Sequence, residues 1–137
     1  MTGKKLVNLI FFFFTSIILI AQNPEMDPDA AKLFNDGNSL RNSGDFSGAV
    51  KKYNDALNIS KNYKIFYQLG LTYKDMKKYS EAIDAYQKSL DSNPGFATAH
   101  YAMGSVYYTG QQFDKAIEAF TKYRNVETNA KNKKSAE

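Results

Sequence analysis

At 137 residues the chain has room for one domain or a short array of repeated units, and with 43% hydrophobic and 23% charged residues it is too apolar for disorder throughout. Cysteine is absent, which excludes disulfides, thiol nucleophiles, iron–sulfur clusters, thiolate zinc sites and a lipid anchor attached through Cys. The formal charge is +4, but Lys4 and Lys5 lie in a leader-like run, and the remainder carries 16 basic against 14 acidic side chains, too even a balance to argue for nucleic acid.

Residues 1–21 read as an address rather than part of a fold. Lys4 and Lys5 give a positive start, Leu6 to Ile20 form an apolar run containing Phe11, Phe12, Phe13 and Phe14, and Ala21 offers a small residue for cleavage before Gln22. This is the three-part pattern of a secretory signal peptide. The expectation is therefore export to the periplasm or the cell exterior, with cleavage after Ala21. The alternative is an uncleaved membrane anchor, although the apolar run is shorter than the roughly 20 residues a spanning helix needs. Residues 22–28 follow as a polar linker whose two prolines, Pro24 and Pro28, disfavour helix, with Asp29 or a neighbour expected to cap the next element.

From there the chain repeats itself. Ala49-Val50, Ala82-Ile83 and Ala116-Ile117 are spaced by 33 and 34 residues, and Gly37, Gly70 and Gly104 keep the same spacing. Leu40, Tyr73 and Tyr107 form a further column, as do Phe46, Tyr79 and Phe113, and Tyr53, Tyr86 and Phe120. In the middle copy Ile65, Phe66, Leu69, Gly70 and Tyr73 recur at helical spacing over 63–76, and Tyr79, Ala82, Ile83, Tyr86 and Leu90 do so over about 80–92. Asn93-Pro94-Gly95 ends that second helix. Gly44 and Gly110 mark the turn inside the first and third copies, where the middle copy has Lys77-Lys78. The mid-helix glycines imply close approach by a neighbouring helix, because each costs about 1 kcal/mol relative to Ala. Ala82 and Ala116 suit that contact, with the aromatics filling the wider gaps. A lone hairpin of this kind cannot bury its stripe, whereas stacked hairpins share a continuous core.

The order of Phe66, Leu69-Gly70, Tyr73, Ala82, Tyr86 and Pro94 resembles the tetratricopeptide repeat. The third copy carries the pattern with His100, Met103-Gly104, Tyr107, Ala116 and Phe120, and the first with Leu33, Gly37, Leu40, Ala49 and Tyr53. The resemblance implies an all-α fold, a right-handed solenoid of three helix–turn–helix units at 29–62, 63–96 and 97–130, followed by a polar tail at 131–137. Departures fall at the ends. Asp36 stands where the other copies have Leu69 and Met103, and Arg124 where they have Leu57 and Leu90. The third copy lacks the closing Pro, so its last helix is expected to run on toward Lys131, leaving Tyr123 and Val126 open to a partner or a second subunit.

The family also implies a concave groove lined by the first helix of each unit. Projected onto this chain, it comprises Phe34, Asn38 and Arg41, then Lys64, Tyr67, Gln68, Leu71 and Lys74, then Thr98, Tyr101, Ser105 and Tyr108. Phe34, Tyr67 and Tyr101 share one column and would make an aromatic ladder with basic neighbours in Arg41, Lys64 and Lys74. The other reading of these rings is that they pack against each other across adjacent hairpins. Some repeats of this family clamp the carboxylates of chaperone tails with Lys, Asn and Arg on these helices. Only Asn38 coincides with that set, so such a ligand is disfavoured.

The leading expectation is thus a non-enzymatic scaffold of the cell envelope that binds a protein or peptide segment with aromatic or aliphatic anchors and some acidic residues. No cofactor and no metal are expected. The single His100 reads as a helix-packing residue, and Asp75, Glu81 and Asp84 read as charged outer faces of helices. Membrane contact would come only through an uncleaved leader. Two alternatives stand beside this reading: self-assembly, including a homodimer through the uncapped last helix, and a regulatory subunit of an envelope enzyme complex.

Overall fold

The computed structural model describes residues 25–135, so the leader at 1–21 and its cleavage point lie outside the described residues. Among those residues there are six helices and no strand: α1 (Pro28–Asn42), α2 (Phe46–Ile59), α3 (Tyr63–Asp75), α4 (Tyr79–Ser92), α5 (Ala97–Thr109) and α6 (Phe113–Ser135). None of them is long and apolar enough to cross a membrane.

The first helix begins one residue earlier than the sequence suggests. Pro28 is its first residue rather than the end of a linker, because an N-terminal helical position needs no N–H donor and suits the fixed φ of proline. Asp27 is the cap, its carboxylate accepting from the backbone N–H of Asp29 at 2.9 Å and of Ala30 at 3.4 Å. Asp45 and Asn62 cap α2 and α3 in the same way, accepting from Gly48 and Lys64 at 2.9 Å each.

The turn inside each hairpin repeats one backbone device. The N–H of Asp45, Lys78 and Gln112 donates to the carbonyl of Leu40, Tyr73 and Tyr107, and the preceding N–H to that of Arg41, Lys74 and Tyr108. This paired bonding closes a helix when the residue between adopts the left-handed region. Gly44 (φ 87°), Lys77 (φ 60°) and Gln111 (φ 57°) occupy that position. The expected turn glycine of the third copy, Gly110, sits one residue too early and has ordinary φ.

Packing follows the columns. Helices pair as α1·α2, α3·α4 and α5·α6, with α2·α3 and α4·α5 joining successive hairpins. One buried cluster holds Ala49, Tyr53, Ala56, Leu57, Ile65 and Leu69 at the first junction. A second holds Ala82, Tyr86, Leu90, Ala99, Met103 and Val106 at the next. The hydroxyl of Ser89 is buried and donates to the Tyr63 carbonyl at 2.9 Å, tying α4 to the start of α3.

The glycine column meets aromatic rings rather than the alanines expected there. A Cβ on Gly70 would lie 2.5 Å from the Tyr86 ring, one on Gly37 2.7 Å from Tyr53, and one on Gly104 2.6 Å from Phe120. Each second-helix ring therefore lies directly on the backbone of its partner helix, which only glycine allows.

The last helix runs through Ser135, so most of the expected polar tail at 131–137 is helical. No Pro or Gly interrupts the sequence over 113–135, so nothing there ends the helix where the first two copies turn. Thr128 and Ser135 hydroxyls bond back to the carbonyls of Arg124 and Lys131 at 2.8 and 3.0 Å.

Candidate binding groove

Helices α1, α3 and α5 touch in series, whereas α2, α4 and α6 make no such contacts with one another. The stack therefore curves with the first helices on its inner side, and the residues projected onto the groove all lie on those three helices. Down the row, Phe34, Tyr67 and Tyr101 share one level, Asn38, Leu71 and Ser105 the next, and Arg41, Lys74 and Tyr108 the one after.

The three rings do not stack on each other. Each leans on the ring of its own second helix: Phe34 on Tyr53 at 6.0 Å between centroids, Tyr67 on Tyr86 at 5.7 Å, and Tyr101 on Phe120 at 5.4 Å. Tyr67 also meets Phe96 edge-on at 5.1 Å, and Tyr101 meets Tyr123 at 5.4 Å. Phe34 and Tyr67 are half-buried by these contacts, whereas Tyr101 remains 52% exposed. Tyr108 is 64% exposed and lies edge-on to Phe113 at 5.7 Å. The inner side thus opens its aromatic surface toward the third hairpin.

The polar residues at the first junction are engaged with each other. Arg41 donates through Nε and Nη2 to one carboxylate oxygen of Asp75, at 3.0 and 2.6 Å, joining α1 to α3 across the inner side. Asp75 is therefore not on a helix outer face, as its position in the pattern suggested. Asn38 is engaged as well, its side-chain oxygen accepting from the Tyr53 hydroxyl at 2.8 Å. Basic character remains with Lys74, half-buried in the last turn of α3, and with exposed Lys64, whose ammonium lies 5.8 Å above the Tyr63 ring.

The middle hairpin lacks the partner that the first one has. Leu71 stands at the level of Asn38, so the buried Tyr86 hydroxyl has no hydrogen-bond partner, and neither does the side-chain oxygen of Gln68. Burial pushes the Tyr86 phenol well above its usual pKa, reinforced by Tyr67 and Asp75 and opposed by Arg41. Burial raises Tyr53 and Tyr67 too, with Arg41 opposing in each case. Thr98 is exposed and Ser105 half-exposed on α5, so the third hairpin is the more open part of the row.

Residues outside the projected set complete the picture. Half-buried His100 lies in a small recess with Lys115, Glu118 and Lys122, its pKa lowered by burial and then by Lys122. A cleft of about 730 Å³ opens between α2 and α4 over α3, lined by Asn54, Lys61, Phe66, Tyr73, Asp84 and Lys88 among others. None of the projected groove residues lines it. Asp84 is paired there with Lys88 one helical turn on, at 2.7 Å. Among the described residues no group of three or more His, Asp or Glu is placed to hold a metal ion.

The chain matches the family model described as tetratricopeptide repeat twice, over residues 63–96 and 97–123. Among curated proteins it is 29% identical over 117 residues to a tetratricopeptide repeat and J domain-containing co-chaperone of Cryptococcus neoformans, covering 85% of this chain but 22% of that protein. It is 26% identical over 125 residues to the photosystem I assembly protein Ycf3 of Acaryochloris marina, covering 86% of this chain and 75% of that one. Among solved structures, MamA superposes with a TM-score of 0.73 at 25% identity, over 75% of this chain and 61% of that chain. The second repeat domain of Spaghetti (RPAP3), bound to an HSP90 peptide, superposes with a TM-score of 0.68 at 16% identity, over 72% of this chain and 93% of that chain.

Proposed function

The chain belongs to the tetratricopeptide repeat family, and from that premise we propose that it is a non-enzymatic binding module whose inner face takes a protein or peptide segment. The observation that carries this reading is the exposure of Tyr101 and Tyr108 on α5, within the row of first helices. Tyr offers broad apolar area, a polar tip and little rotamer entropy, and aromatic anchors of this kind dominate recognition energies. The segment it suits presents aromatic or aliphatic side chains to these rings, with an acidic residue within reach of Lys64 or Lys74.

The first junction suits a terminal carboxylate poorly. Arg41 is already paired with Asp75, and Asn38 with Tyr53. The leader-like composition of residues 1–21 supports placing the module in the cell envelope or outside the cell, as a scaffold for a protein complex.

Affinity capture from the envelope fraction of the source cell tests the reading, comparing the native chain with a Tyr101→Ala, Tyr108→Ala variant. Both side chains are exposed, so the hairpins should fold unchanged. Partners held by the native chain should bind at least about tenfold more weakly to the variant, while Lys88→Ala, beside the α2–α4 cleft, should leave them unaffected. Equal retention by the double variant would move the binding site away from the inner face.

A further inference from the structure

Each end of this stack is half of a junction that the interior completes. At the first junction Leu57 of α2 and Leu69 of α3 share a buried cluster, with Val50, Phe66 and Tyr73 packed against it. At the second, Leu90 of α4 and Met103 of α5 do the same, with Ile83 and Tyr107 alongside. Helix α6 repeats the first partner of these pairs, and among the described residues no further helix lies over it. Phe113 is 54% and Ile117 64% exposed, whereas the equivalent Phe46, Val50, Tyr79 and Ile83 are partly buried. A shallow notch bounded by Ile117, Phe120, Thr121 and Arg124 marks this face. Helix α1 repeats the second partner, with Leu33 and Leu40 at the levels of Phe66 and Tyr73, packed on one side against the first cluster and partly exposed on the other.

The two columns that meet at both junctions are also the two that change at the ends. Arg124 replaces Leu57 and Leu90, and Asp36 replaces Leu69 and Met103. If α1 of one copy lay on α6 of another as α3 lies on α2, Asp36 and Arg124 would stand together where two apolar residues meet inside the stack. The remaining charges follow the same sense. Successive helices are antiparallel, so the start of α1, with Glu25, Asp27 and Asp29, would lie beside the end of α6, with Lys131, Lys133 and Lys134. Lys32, at the level of buried Ile65 and Ala99, would enter the junction at the end where α6 carries Glu127.

We propose that the chain assembles head to tail, α6 of one copy receiving α1 of the next in the arrangement of its internal junctions. A two-fold pairing of α6 with itself has no comparable match. It gives Asp36 no partner beyond Lys52 of its own α2, at 3.9 Å, and, in parallel register, sets Arg124 against its own copy. A head-to-tail contact is not self-closing and so gives an open chain or a ring rather than a dimer. It continues the row of first helices from copy to copy and leaves the inner face free.

The test uses the full chain, kept in a mild detergent so that the apolar run at 6–20 cannot drive association. Sedimentation from low to high micromolar concentration should show an average mass that climbs past the dimer, and added salt should reverse it. Asp36→Arg and Arg124→Asp should each weaken association at least about tenfold with helicity by circular dichroism unchanged. Arg124 is exposed, so its variant stays informative even if Asp36→Arg perturbs α1. An equimolar mixture of the two variants should regain association, because each supplies the charge the other needs. A chain monomeric throughout, a mass that stops at the dimer and ignores Asp36→Arg, or a mixture no better than either variant alone would each overturn the proposal.

Discussion

Tyr53 and Tyr86 are the same residue in successive repeats, fully buried against a glycine of the partner helix, and they differ only in what faces the hydroxyl. Tyr53 donates to Asn38, whereas Tyr86 finds Leu71 at that level and stays unpaired. A buried polar group without a partner carries a desolvation penalty of about 1–3 kcal/mol, while a satisfied bond contributes on the order of 1 kcal/mol. The two Tyr→Phe substitutions should therefore diverge. Tyr53→Phe is expected to lower stability by about 1 kcal/mol and to strand the Asn38 oxygen, whereas Tyr86→Phe should be neutral or stabilising by up to about 1 kcal/mol. Urea midpoints at constant slope would check this. Equal losses in both variants would show that the Tyr86 hydroxyl has a partner, such as a buried water. Nothing in the periodicity separates the two tyrosines. The difference is legible only once Asn38 and Leu71 are known to face the ring tips rather than open solvent.

Among the elements, the helices and the places of the turns were legible, but the left-handed residue of the third turn was not. Apolar columns at 33 and 34 residues place all six helices, because burying one stripe per helix constrains every turn of it. A turn offers no such stripe. Its one demanding position is the left-handed residue, filled by Gly44, Lys77 and Gln111, and two of those three residue types give no signal. That is why Gly110 drew attention away from Gln111. The cost of a side chain in this region, about 1–2 kcal/mol, yields a prediction. Lys77 is exposed and its side chain makes no hydrogen bond or ion pair among the described residues, so Lys77→Gly should raise stability by about 0.5–1 kcal/mol, part of the gain being lost to glycine's greater unfolded-state freedom. Gly44→Lys should move the thermal midpoint in the opposite direction. A fall in stability for Lys77→Gly would mean that its side chain supports the α3–α4 turn in a way the backbone does not reveal.

For the whole molecule, the curvature of the stack decides what the candidate groove can be, and curvature is a property of how hairpins are set against each other. The pattern within α3 places Asp75 beside other charged residues on a helix surface. The setting of α1 against α3 turns that surface inward and brings Asp75 onto Arg41, 34 positions earlier. The aromatic row was legible as a column, but its lean onto Tyr53, Tyr86 and Phe120, leaving Tyr101 the more open ring, required the three-dimensional stack.

The same one-dimensional build sets the order in which the molecule should open. In a solenoid each unit is held by its neighbours, so a helix covered on both sides is held more firmly than one at an end. Helix α3 buries Tyr63, Ile65, Leu69, Gly70 and Thr72, and α5 a similar run from Ala97 to Val106. Helix α1 buries only Ala30 and Gly37, and α6 only Ala116 and Ala119. In dilute solution, below any association, amide exchange should therefore be fastest over 127–135 of α6, slower over α1 and the rest of α6, and slowest in α3 and α4. Raising the concentration should then protect α1 and the 113–124 stretch of α6 before it changes the centre, if the ends meet head to tail. Exchange protection equal across all six helices in dilute solution would mean instead that the three hairpins open as one unit. The exposed faces of α1 and α6 would then be held by the interior rather than left to fray.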